Sequence, residues 1–150
     1  MAYVLEAFIG RPPVLARLVG ESREVAIVDL GQSLSLLPFT DGARRVLLST
    51  AADLASPNPP FSCLSRAAAL SAQQRSGADG LAYVEAEFFG GRGEQSAIVW
   101  RGGYLELGPV TAVDAINRAL RALGVRSGEA QDEFDTLGLG RHRATERWAS

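Results

Sequence analysis

The sequence contains no lysine; all 15 of its basic residues are arginine. Set against 17 acids they leave a net charge of −2, so the positive excess of a phosphate-backbone binder is missing and no nucleic-acid partner is expected. A single cysteine excludes an internal disulfide and suits a reducing interior. With one histidine beside it, the soft ligands for a zinc centre are too few. No run approaches the roughly 20 apolar residues that cross a bilayer. The opening MAYVLEAFIGRPP has no basic start, and Glu6 interrupts its apolar run, so it reads as a first strand rather than an export signal. These absences lead to the expectation of a cytoplasmic protein with no membrane partner.

What is present is ordinary globular composition, 47% hydrophobic and 21% charged over 150 residues, enough to bury a core within one domain, 1–150. Ala2 to Ile9 reads as a strand. Pro12 and Pro13 suit a first helical turn, where a missing N–H costs nothing, and Val14, Leu15, Leu18 and Val19 follow at helical spacing before Gly20. Glu24–Asp29 and Ser33–Phe39, separated by Gly31 and Gln32, read as a hairpin. Thr40 or Asp41 is placed to cap a helix to about Leu54, with Val46, Leu47, Ala51 and Leu54 inward. Ser56-Pro57-Asn58-Pro59-Pro60 is a stiff loop, and Ser62 is placed to cap an alanine-rich helix to about Ser76.

The alternation from Leu81 to Phe89 is the cleanest in the chain. Ala82, Val84, Ala86 and Phe88 share one face, and Tyr83, Glu85, Glu87 and Phe89 the other. Strands over Gln95–Trp100 and Tyr104–Leu107 complete a meander with glycine-rich turns. Thr111 with Asp114 resembles a capping box for a helix to Leu123, with Val113, Ile116, Leu120 and Leu123 in one stripe and Gly124 as its stop. Ser127 is placed to cap a short helix over Glu129–Leu137, with Ala130, Phe134 and Leu137 inward. The residues from Gly138 read as a charged tail carrying Trp148. The order of elements predicts an α+β fold: a largely antiparallel sheet of about six strands with helices packed mainly on one face. One parallel pairing is allowed, because a helix joins the first two strands.

Several groups of residues carry chemistry. Gly90-Gly91-Arg92-Gly93 lacks the following helix that a phosphate loop needs, so hairpin glycines account for it. Glu85 and Glu87 point the same way from one strand, roughly 6–7 Å apart. They suit acid–base work, a hydroxyl-binding site, or, flanked by Tyr83 and Phe89, a recognition surface; an ordinary solvated strand face also explains them. Glu129, Asp132, Glu133 and Asp135 suit recognition of a basic partner. They have no calcium-loop form, and Arg141, Arg143 and Arg147 stand nearby to balance them. Cys63 at a helix start and the exposed His142 form a dyad only if the fold joins them. Arg141-His142-Arg143 reads as part of the charged tail more than as an anion site.

The segments Glu87-Phe-Phe-Gly-Gly-Arg-Gly-Glu-Gln-Ser-Ala-Ile-Val-Trp100, Pro109 with Ile116-Asn-Arg-Ala-Leu120, and Asp132-Glu-Phe-Asp-Thr-Leu-Gly-Leu-Gly140 resemble small bacterial proteins encoded beside secreted polymorphic toxins, which commonly act as immunity proteins. The lysine-free, arginine-rich usage fits a GC-rich bacterial source. The resemblance covers the C-terminal half. It implies a cytoplasmic α+β protein that binds a secreted toxin domain and covers its active or substrate site, and it carries no catalytic residue. The residues expected to touch such a partner are Glu85, Glu87, Phe89, Asp132, Glu133 and Asp135, with no cofactor and no metal. The alternative is a small enzyme acting on a nucleotide or sugar, with Glu85 or Glu87 as acid/base and Arg92 or Arg101 holding an anionic group.

Overall fold

The computed structural model describes residues 2–20, 25–47, 57–89, 92–129 and 131–149. Six strands, β1 (Tyr3–Gly10), β2 (Val28–Gly31), β3 (Leu34–Pro38), β4 (Leu81–Phe89), β5 (Arg92–Arg101) and β6 (Tyr104–Thr111), form one sheet in the order β2-β3-β1-β4-β5-β6. Every neighbouring pair is antiparallel. The parallel pairing that the sequence allowed is absent from the described sheet, because β3 returns between β1 and β2. The helices are α1 (Pro12–Val19), α2 (Asp41–Leu47), α3 (Arg66–Arg75), α4 (Ala115–Ala122) and α5 (Glu133–Thr136). The expected α+β single sheet of about six strands is the architecture of the chain.

Strand alternation divides the core in two. Leu5, Ala7, Ile9, Ala82, Val84, Ala97 and Val99 face one side, where Ile116 and Leu120 of α4 cover them. Phe8, Leu81, Tyr83, Ile98 and Trp100 face the other, under α1, α2 and α3. Among the described residues, three helices therefore share one face, while α4, α5 and the end of the chain close the second. On the α1–α3 side, Tyr83 gathers the rings of Phe8, Phe39 and Phe61 at 4.9–5.7 Å.

Local structure departs from the sequence reading where tertiary partners outbid local patterns. The first hairpin turns at Gln32 and Ser33, both with positive φ, and β2 begins at Val28 rather than Glu24, which lies outside the described residues. Thr40 caps α2 through the Ala43 N–H, at 3.3 Å. That helix is described only to Leu47, so Ala51 and Leu54 lie outside. The cap of α3 is Ser65, accepting from the Ala68 N–H at 3.1 Å, while the Ser62 N–H donates to Glu85 and keeps Ser62 in the preceding loop. The Thr111–Asp114 capping box does not form. Thr111 stays in β6 with its hydroxyl 2.9 Å from that of Ser96. The buried Gln95 carboxamide instead accepts the Ile116 N–H at 2.9 Å, so α4 starts late and Val113 is left exposed. Asp132, not Ser127, caps the short α5.

The predicted charged tail is an integral part of the fold. The Val4 N–H donates to the Arg143 carbonyl (2.9 Å), and the Glu6 N–H donates to the Thr145 hydroxyl (3.0 Å). The chain end thus lies along β1 beyond the point where β3 leaves it. Trp148 is buried in the α4-side core, with His142 edge-on to it at 4.8 Å and the Arg141 guanidinium 5.5 Å above its ring.

Candidate functional site

Register assembles a group of acids that no local pattern shows. Glu85 lies directly across from Glu6 on β1 and Ser96 on β5, and Glu87 across from Val4 and Glu94. With Pro60 and Ser62 of the proline-rich loop as a further wall, Glu6, Glu85, Glu87, Glu94 and Ser96 line a cavity of about 90 Å³. Four carboxylates thus share one small depression on the α1–α3 face. Glu85 and Glu87 point the same way, as the alternation requires, and the structure brings Glu6 and Glu94 to them.

The four carboxylates divide by what holds them. Glu85 accepts hydrogen bonds from the N–H groups of Ser62 (2.7 Å), Cys63 (2.9 Å) and Leu64 (3.3 Å), and from the Tyr83 hydroxyl (2.7 Å). It ties the loop to the sheet. Glu6 accepts from the Thr145 hydroxyl at 2.5 Å and so ties down the chain end. Glu87 and Glu94 are exposed, and neither makes a hydrogen bond or ion pair with the described residues. They stand opposite each other on neighbouring strands, a placement in which like charges disfavour one another. Phe89, 64% exposed, stands beside them in a shallower depression with Gly93. Gly93 must lack a side chain, since a Cβ there would run into the Phe88 ring and stand 2.6 Å from the Glu87 carbonyl.

The neighbouring titratable groups are locked in their neutral forms. Burial, and then the Glu85 carboxylate, push the Tyr83 hydroxyl well above its ordinary range, so it remains a donor. Burial, and then Glu6, push the Cys63 thiol up to about 12. A thiol so held is a poor nucleophile, and His142 packs against Trp148 of the opposite core, so the Cys63–His142 dyad does not form. Arg101 is likewise occupied at the far end of β5. It forks onto Glu106 (2.8 and 3.2 Å) and donates to the carbonyls of Ala78 and Ala122. It is a structural clamp with no anion to hold near Glu85. Arg92 pairs in register with Phe89, and its side chain lies outside the description.

The second acidic group lies on the other face. Asp132 accepts the Asp135 N–H (2.9 Å) and the Asn117 amide (3.0 Å). The bond from the Asp135 backbone N–H, more than the one from Asn117, holds its carboxyl below the usual range. Glu133 is buried and paired with Arg121 at 2.9 Å. Glu129, Asp132 and Asp135 are all exposed, and Glu129 lies outside α5. The residues expected to touch a partner therefore fall into two separate places, Glu85, Glu87 and Phe89 in one and Asp132, Glu133 and Asp135 in the other.

Glu6 and Glu94 are the site residues that sequence reasoning missed. The interruption of an apolar strand by Glu6 was a signal. Pairing Phe89 with Arg92 places Glu94 opposite Glu87 by counting alone. Among the described residues no group of three or more His, Cys, Asp or Glu side chains is placed to hold a metal ion, and no helix is long and apolar enough to cross a membrane. No family model, curated protein or solved structure matches this chain.

Proposed function

We propose that this protein is a non-enzymatic binding protein of the immunity type. It captures a basic side chain of a secreted toxin domain in the Glu87–Glu94 mouth of the acidic cavity and so covers the toxin's active or substrate site. The observation that carries this reading is a pair of exposed carboxylates, opposite each other, that make no hydrogen bond or ion pair with the described residues. Two carboxylates on adjacent strands suit the fork of an arginine guanidinium. Phe89 beside them supplies apolar area for an interface. Glu85 and Glu6 act behind this surface, holding the loop and chain end that shape it. The cytoplasm of the bacterial cell is where such a protein meets a toxin that must be silenced. An acid–base enzyme is a weaker reading, because Glu85 is saturated by hydrogen bonds and Arg101 is committed elsewhere.

The test is protection of growth against the toxin that this reading expects an adjacent gene to encode. Reversing both mouth charges, Glu87→Arg with Glu94→Arg, is expected to abolish protection while the circular dichroism spectrum and melting temperature stay near wild type. Reversal of Asp135 on the other face is expected to leave protection intact. Full protection by the double variant, or turnover of a nucleotide or sugar that requires Glu87, contradicts the proposal.

A further inference from the structure

The acidic cavity and the end of the chain share one stretch of β1. Val4 and Glu6 both line the cavity, and both are held by the last residues on the side of β1 away from β4. The Val4 N–H donates to the Arg143 carbonyl. The Thr145 hydroxyl, on a residue only 1% exposed, accepts the Glu6 N–H (3.0 Å) and donates to the Glu6 carboxylate (2.5 Å). The Cys63 thiol, held in its neutral form, also hydrogen-bonds Glu6. Glu6 thus stands between the two kinds of acid already described. Backbone N–H groups saturate Glu85, whereas the donors on Glu6 are a hydroxyl and a thiol, and a guanidinium brings full charge to the same lone pairs. Glu6 lies across from Glu85 and so is a diagonal neighbour of Glu87, roughly 7–8 Å away at the backbone. A cation seated between Glu87 and Glu94 is therefore within side-chain reach of Glu6.

The chain end is held to β1 more lightly than β4 is. β4 pairs with β1 along all eight of its residues, whereas the chain end meets it through the Arg143 carbonyl and the Thr145 hydroxyl. Trp148 anchors the segment in the α4-side core, but its indole N–H is buried with no hydrogen-bond partner, a desolvation cost set against the apolar area it buries. We propose that Thr145 is a latch on the binding site: it withholds the Glu6 carboxylate, and a basic side chain entering between Glu87 and Glu94 takes that carboxylate over, so that filling the cavity loosens the chain end. The latch rests on the function proposed above and adds its regulation. The hydroxyl and the guest compete for the same lone pairs, so the coupling is reciprocal. Whatever frees Glu6 from Thr145 tightens the hold on the guest, and the guest weakens the hold on the chain end by the same factor. A residue that served stability alone would move stability and affinity in the same direction; the latch moves them in opposite directions.

The experiment is a titration of the isotope-labelled chain with N-acetyl-arginine methylamide, followed by amide resonances and by the Trp148 indole resonance. Thr145→Val keeps the side-chain shape and removes the hydroxyl. It is expected to lower the melting temperature and yet bind the probe about threefold to tenfold more tightly, the scale of one hydrogen bond. Thr145→Ser restores the hydroxyl and should bind as the wild type does. In the wild type, saturating probe should speed hydrogen exchange at the Val4 and Glu6 amides. The latch is overturned, with the Glu87–Glu94 reading intact, if the probe shifts Glu87 and Glu94 but Thr145→Val binds no more tightly, or if Thr145→Ser binds as Thr145→Val does. Should Thr145→Val not fold, exchange at Val4 and Glu6 that the probe leaves unchanged overturns it equally. A probe that does not bind, or that binds the Glu87→Gln, Glu94→Gln double variant as well as the wild type, overturns the Glu87–Glu94 reading itself and the latch with it.

Discussion

Glu85 and Glu87 leave the same strand on the same side, two residues apart, yet one carboxylate accepts four hydrogen bonds and the other none from the described residues. The back of the cavity is architecture: Glu85 fixes the loop from Ser62 to Leu64, and Glu6 fixes Thr145. The mouth is unspent charge. A similar division runs through the acids near α5, where Asp132 caps a helix and Glu133 pairs with Arg121, while Asp135 is exposed. An acidic residue's place in a cluster therefore says little about its role. What decides is whether the fold has already used its lone pairs, because a carboxylate satisfied by backbone N–H groups offers a partner little and one left in repulsion offers much.

The sharpest way to break this comparison is to truncate the two glutamates separately. Glu85→Ala strips the acceptor from three backbone N–H groups and a buried hydroxyl, and is expected to cost about 2–4 kcal/mol in urea unfolding. Glu87→Ala should fall within about 0.5 kcal/mol of wild type. Comparable losses for the two would erase the distinction between back and mouth.

Removing one donor rather than the acceptor sharpens it. Tyr83→Phe keeps the ring cluster and deletes a single bond to Glu85, with an expected loss of about 1 kcal/mol. On the opposite face, Asp132→Ala removes a helix cap, again at about 1 kcal/mol. The Asp132 carboxyl is held below its unfolded range. Its contribution is therefore present above the unfolded pKa and lost as the pH falls through the folded one. Unfolding measured from neutral to acid pH should show a smaller loss on acidification for the variant than for the wild type. The smallest effect has the opposite sign: Glu94→Gln relieves the repulsion with Glu87, and should stabilise the chain by a few tenths of a kcal/mol at low salt and by nothing at high salt.

How much of this was legible beforehand follows from the distance between partners. Alternation placed Glu85, Glu87 and Phe89 on one face, and the two-residue loop announced the first hairpin. Both are short-range properties of the chain. The Glu6–Glu85 pairing spans almost eighty residues, and no local pattern encodes which strands become neighbours or in what register. The Thr111–Asp114 motif misled because β6 runs up to and includes Thr111, and a glutamine from the adjacent strand served the helix instead. The final residues read as a solvated tail because arginines dominate them. Trp148 and Thr145 were the anchors within that segment, and their partners on β1 lie at the other end of the sequence. The site was half visible for the same reason: one strand of it was local, and the rest came from assembly.

The most direct test of the central claim is calorimetric titration of a toxin domain, of the kind the proposal expects an adjacent gene to encode, with the wild-type chain and with the Glu87→Gln, Glu94→Gln double variant, at low and high salt. The account predicts a loss of about 2–4 kcal/mol, roughly 30-fold to 1,000-fold in Kd, for the variant at low salt, and a gap that narrows as salt rises. Equal affinity of the two proteins at both salt concentrations would contradict it.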